Sequence, residues 1–184
     1  MFNKNFFERG HDIITLFWEQ DGNTDITGDW VKLRDYTRVG VLLVKAGTED
    51  VDDLSLQFLQ ATDASGTSSK ALSLPAGGEV YYKTGTITSQ TVWTRATPST
   101  SAIDGIAFGS AVPTGSTRVI SDVNTSAVQI YAEFETTALD VDGGFDWFTA
   151  FIEGDNVNNT VLLTAQAFLM GGRYMQSVPL SCIS

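Results

Sequence analysis

Apolar and polar residues alternate with a period of two through much of this chain, the pattern of half-buried strands. Val161, Leu163, Ala165, Ala167 and Leu169 share one face of such a segment. His11 to Trp18 predicts another strand, closed by the polar turn Glu19 to Asp29. Trp30, Lys32, Arg34 and Tyr36 alternate with Val31 and Leu33, so that segment is expected to bury one face. Val39 to Val44 is a nearly continuous apolar run, short enough for a strand covered on both sides. Leu54, Leu56 and Phe58 alternate with Ser55 and Gln57, and after the turn Asp63 to Ser69 the segment Lys70 to Leu74 can return antiparallel. Glu79 to Lys83, Thr86 to Trp93, Thr117 to Ile120, Ala127 to Glu135 and Trp147 to Glu153 complete the series. No spacing of three and four residues persists over a long window, so helices are expected to be few and short. The pattern predicts an all-β fold: an antiparallel β-sandwich, with a jelly roll among its forms.

Two segments break the rhythm. In residues 1–10, Phe2, Phe6 and Phe7 are interrupted by Asn3, Lys4, Asn5, Glu8, Arg9 and Gly10. They fit either a strand packed on its own core or an arm whose aromatic anchors enter a neighbour's pockets. Residues 95–116 are rich in Ser, Thr, Gly, Ala and Pro yet carry Ile103, Ile106, Phe108 and Val112. Long loops of this kind are often functional. This one is either self-packed or docks its apolar tip on a partner, and Phe2, Phe6, Phe7, Ile103, Ile106 and Phe108 are the candidate partner contacts. The expected organisation is an arm at 1–10, a sandwich at 11–177 with the long loop at 95–116, and a tail at 178–184.

Composition narrows the function classes. Charged residues make up only 18% of the 184, and the net charge is −11. Such a field repels phosphate backbones, so nucleic acid is not an expected partner. Lys32, Arg34 and Arg38 form the densest positive cluster, read here as a solvated strand face. The single cysteine, Cys182, forms no internal disulfide. The first residues lack the apolar core of a signal peptide, and no apolar run reaches the ~18 residues of a membrane span. The expectation is a chain made in the cytoplasm and not inserted in a membrane.

Catalytic chemistry finds little to stand on. A hydrolytic triad needs a base beside its nucleophile, and the only histidine, His11, opens a strand. One Cys and one His at opposite ends do not make a zinc site. Gly77-Gly78 and Gly171-Gly172 lack any phosphate-binding fingerprint around them. Asp21, Asn23 and Asp25 match the opening of a calcium loop, but Ile26 stands where glycine is needed and Lys32 where the closing glutamate belongs. Asp140, Asp142 and Asp146 around Gly143-Gly144 form a second acidic turn. Both read as turns capped by Asp, with weak Ca²⁺ binding left open. No enzyme activity and no cofactor are expected.

Two stretches carry a resemblance. The first is Trp30-Val31-x-Leu33-x-x-Tyr36, then Gln60-Ala61-Thr62, Gly66 and Lys70-Ala71-Leu72. The second is Leu139-Asp140-Val141-Asp142-Gly143-Gly144-Phe145-Asp146, followed by Arg173-Tyr174, which are expected to pack inside the sandwich. Together they resemble small β-rich virion proteins of tailed bacteriophages, over about a third of the chain. The resemblance implies a structural role, foremost a head decoration (cement) protein. Such proteins bind the major capsid protein on the outer surface of the head, commonly as homotrimers at local threefold positions. A tail, neck or fibre component is the first alternative. The second is a carbohydrate-binding β-sandwich in which Trp30, Tyr36, Trp93 or Trp147 would stack on sugar rings.

Overall fold

The computed structural model describes residues 11–22, 24–46, 55–72, 79–84, 92–95, 107–108, 118–121, 128–154 and 162–172. In chain order the strands are β1 (Asp12–Asp21), β2 (Ile26–Thr27), β3 (Val31–Lys32), β4 (Arg38–Ala46), β5 (Ser55–Ala61), β6 (Lys70–Ala71) and β7 (Glu79–Thr84). They continue with β8 (Thr94–Arg95), β9 (Ala107–Phe108), β10 (Arg118–Ser121), β11 (Val128–Glu135), β12 (Trp147–Glu153) and β13 (Leu162–Met170). Among the described residues the helical structure is a single 3-10 turn, Thr136–Ala138. All pairings are antiparallel, and the strands form a six-stranded sheet, β1-β13-β4-β11-β7-β8, and a seven-stranded sheet built on β2-β12-β5-β10-β9. In the second sheet β3 also pairs with β12, and β6 with β5.

The chain passes from one sheet to the other after β1, β3, β4, β6, β8, β10, β11 and β12. Because β2 and β3 pair with successive parts of β12, they act as two pieces of one strand. The blocks β1-β13-β4-β11 and β2/β3-β12-β5-β10 then have jelly-roll order, with β7 and β8 extending the first block. The break between β2 and β3 links the layers: Gly28 N donates to Ala150 O at 3.0 Å in one sheet, and Asp29 N to Leu16 O at 2.8 Å in the other. A Cβ on Gly28 would lie 2.9 Å from Thr149 Oγ1 and 3.0 Å from Leu16 Cβ, so the approach requires glycine.

Alternation delivers the core. Leu163, Ala165, Ala167 and Leu169 of β13, with Val128, Ile130 and Ala132 of β11, have no exposed surface. Phe58 and Phe148 meet Phe134 at centroid distances of 5.5 and 5.2 Å, and each other at 5.4 Å, joining the two sheets through one aromatic trio.

Two local expectations are corrected. Trp30 to Tyr36 is not one strand: β3 stops at Lys32, Leu33 N donates to Asp146 O, and Tyr36 N to Leu33 O closes a turn. That turn buries both Leu33 and Tyr36 and so ends the alternation. The polar turn expected from Glu19 to Asp29 is shorter, because β1 runs on to Asp21 and Ile26–Thr27 form β2. Register shifts on either side of Phe17 let β1 continue, burying Leu16 and Phe17 in succession and leaving Trp18 outside at 57% exposure. Of the stretch read as a loop at 95–116, only Arg95, in β8, and Ala107–Phe108, which form β9 against Ile120 and Ser121, are among the described residues.

Candidate functional site

The jelly roll has two outer faces, and each places several sequence-derived candidates. On the seven-stranded sheet the candidates are closed by the chain itself. Trp30 lies against Gly66, where a Cβ would come within 2.6 Å of the indole Nε1. Gly66 has φ +75°, and the turn before it is held by Asp63, whose Oδ1 accepts from Ser65 N at 2.9 Å and Thr67 N at 3.1 Å. Hydrogen bonds from Thr67, its side chain first, hold the Asp63 carboxyl below the ordinary carboxylate range. Tyr36 is buried in the core. Trp147 is half-buried, with the Lys32 ammonium 5.6 Å from its ring centroid and 3.6 Å from Asp146.

The acidic turn at 140–146 is a latch. Asp140 N donates to Gln60 Oε1 at 2.9 Å, and Lys70 pairs with the Asp140 carboxylate while lying 3.8 Å above the Phe145 ring. That Lys70 contact, followed by the Gly143 amide, lowers the Asp140 carboxyl from its usual range. Asp140 and Asp146 are thus each matched to a lysine. In the other acidic turn, Asp25 Oδ1 accepts from Gly154 N at 3.0 Å, and Asn23 lies outside the described residues. Among the described residues no group of three or more His, Cys, Asp and Glu is placed to hold a metal ion. His11 Nδ1 accepts from Gly171 N at 3.0 Å and ties the start of β1 to the end of β13. Lys45 points into the sandwich at 1% exposure and is engaged with a partner there.

The six-stranded sheet is different. One register row crosses all six strands: Thr15, Gln166, Leu42, Tyr131, Tyr81 and Arg95. Alternation turns this row outward, because the neighbouring positions Ile14, Ala167, Val41, Ala132 and Val80 are buried. Tyr131 does not stand upright in it. Its phenol end leans over Gly40, whose missing Cβ would sit 2.8 Å from Tyr131 Cζ. The Tyr131 hydroxyl donates to Glu133 Oε2 at 2.8 Å, and Glu133 Oε1 pairs with Arg38 at 3.0 Å. Burial, reinforced by Glu133, raises the Tyr131 hydroxyl well above its ordinary pKa, so it stays a donor.

At one margin of this face Tyr81, Trp93 and Tyr131 line an open depression of about 400 Å³, and Lys83 Nζ lies 4.7 Å from the Trp93 ring centroid. At the opposite margin Ile13, Trp18 and Leu162 are exposed at 40%, 57% and 40%. Of the sugar-stacking candidates Trp93 is the most exposed, at 39%, with Trp30 and Trp147 half-buried, and it is joined by two tyrosines that sequence reasoning did not single out. Among the six candidate partner contacts, Phe2, Phe6, Phe7, Ile103 and Ile106 lie outside the described residues. The backbone of Phe108 pairs with Ile120 at the edge of the seven-stranded sheet. Arg173, Tyr174 and Cys182 also lie outside the described residues.

No protein-family model matches the chain, and no curated protein matches it. Among solved structures, the SPBc2 prophage-derived protein YomS aligns over 86% of this chain and 91% of its own, at 10% identity and a TM-score of 0.40. A structure of infectious bursal disease virus Gx strain aligns over 87% of this chain and 40% of its own, at 12% identity and a TM-score of 0.26. Likenesses at these scores leave the function open.

Proposed function

We propose that this chain is a non-enzymatic structural protein of a virion, and within that role a head decoration protein that binds the assembled shell from outside. The observation that carries the reading is the apolar margin of the six-stranded sheet, where Ile13, Trp18 and Leu162 stand in solvent on the outermost strand pair of a rigid sandwich. They are spread along that pair, Ile13 beside Phe168 and Leu162 beside Asp21, and would serve as separate anchors for another protein. Burying the exposed part of each contributes about 1 kcal/mol, from the ~1.5–3 kcal/mol of a fully buried large side chain. A protein that binds only the assembled shell stabilises it by mass action, by about 2.7 kcal/mol at a hundredfold excess over Kd. The acidic chain suits a position outside the shell, away from packaged nucleic acid.

The two stretches that resemble phage virion proteins meet in space. Gln60 and Lys70 of the first hold Asp140 of the second, and Lys32 holds Asp146. They form a lock that shapes the sandwich, in keeping with a family likeness of fold, while the contact surface lies on the opposite sheet. A homotrimer at the local threefold positions of the head is the arrangement we favour.

The test is a copy count. Particles from the native source are sedimented, and the chain is quantified against the most abundant protein of the heavy fraction. The reading predicts a ratio near one or a simple fraction of it. A handful of copies per particle would move the chain to the tail or neck, and recovery only in the light fraction would overturn a virion role.

A further inference from the structure

We infer that the depression framed by Tyr81, Trp93 and Tyr131 is a saccharide-binding platform that takes a pyranose ring. This inference uses residues at the opposite margin from Ile13, Trp18 and Leu162, so it stands or falls independently of the shell-binding reading.

Three features carry it. The first is the floor. Tyr131 and Tyr81 are direct cross-strand partners, and Trp93 lies next to β8, the strand paired with β7. Three rings therefore meet from neighbouring strands around an open apolar depression. The C–H face of a pyranose is apolar and slightly electropositive, and it stacks on the electron-rich face of an aromatic ring.

The second is preorganisation. Tyr131 is fixed at both ends: its phenol lies over Gly40, and its hydroxyl is held by Glu133, itself held by Arg38. These contacts restrict the rotamers of that ring before a ligand arrives, which favours affinity for a small ligand.

The third is the rim. Lys83 lies over Trp93, while Gln129 and Glu133 occupy the outward positions of β11 on either side of Tyr131. The Lys83 ammonium beside the aromatic floor supplies donors for a sugar hydroxyl, and the Gln129 amide stands on the same outward face of β11 as Tyr131. A nucleic acid would bring phosphates to a chain of net charge −11.

The experiment uses the full chain and four probes: cellobiose, lactose, N,N′-diacetylchitobiose and glucuronic acid. Saturation-transfer NMR detects contact, and calorimetric titration gives the affinity. At least one probe is expected to bind through its C–H face. Trp93→Ala should weaken that binding about tenfold or more, the scale of one lost ring contact. Trp93→Phe should stay within about threefold of the native chain, since a flat ring remains. Trp18→Ser, at the far margin, should leave binding unchanged. Trp93 is a solvent-facing side chain, and an unchanged urea midpoint would confirm that its variants fold. Absence of transfer to all four sugars would overturn the inference. So would full affinity in Trp93→Ala, or an equal loss in Trp18→Ser.

Discussion

The two outer faces of this jelly roll treat their aromatic residues in opposite ways. On the seven-stranded sheet Trp30 is covered by a glycine turn, while Trp147 and Phe145 each lie under a lysine that is itself matched to an aspartate. Even Thr149 and Ala61, which alternation points away from the core, have no exposed surface. On the six-stranded sheet Trp18 and Trp93 remain in solvent, and Tyr131 is braced on Gly40 rather than covered. The difference separates aromatic residues that serve the fold from those left available to a partner. Lysine stacking alone does not make the distinction, since Lys83 also lies over Trp93. What closes the first face is the second anchor: a lysine fixed by a carboxylate, or a turn fixed by Asp63.

The comparison predicts that damage to the closed face is paid in stability. Gly66→Ala forces a side chain into a positive-φ position and against the Trp30 ring, and should cost roughly 1–3 kcal/mol. Urea unfolding measures the loss, and a rise in Trp30 solvent quenching should accompany it. An unchanged midpoint would mean that the turn does not hold Trp30 down.

A smaller effect is expected from acid. Asp63 and Asp140 are held below their ordinary pKa in the folded chain, by Thr67 and by Lys70 respectively. A depressed folded pKa contributes stability that is fully present above the unfolded value of about 3.9 and is lost as pH falls through the folded value. The urea midpoint should therefore fall between pH 5 and pH 2.5, and by less in an Asp63→Asn, Asp140→Asn double variant than in the native chain. Equal acid sensitivity in both would remove these turns as the latches of the closed face.

The sequence reveals these two faces unequally. Alternation in Val161 to Leu169 and Ala127 to Glu135 exposes the strands and their inward residues directly, because burial on one side of a pleat writes itself into every second position. The Asp-Gly turns are equally visible, since only certain residues make them. Strand order is not, because the pairing of β1 with β13 or of β4 with β11 is a long-range choice that alternation does not encode. For the same reason the sugar-stacking candidates picked by residue type mixed Trp93 with the buried Tyr36 and the half-buried Trp30 and Trp147. Tyr81 and Tyr131 come from segments far apart in the chain, and only the register brings them together. A local signal did exist: each tyrosine sits at an outward position between polar neighbours, Glu79 and Lys83 for one, Gln129 and Glu133 for the other. Trp18 was hidden by the irregularity in β1, which a strict period of two places differently.

The central claim is that the six-stranded face is the one a partner covers. Hydroxyl-radical footprinting of the tryptophans, compared between free chain and sedimented particles, tests it most directly. The account predicts that Trp18 reacts readily in the free chain and is protected in the particle, while Trp30 and Trp147 react weakly and equally in both. Equal reactivity of Trp18 in the two states, or protection that appears at Trp147 instead, would contradict it.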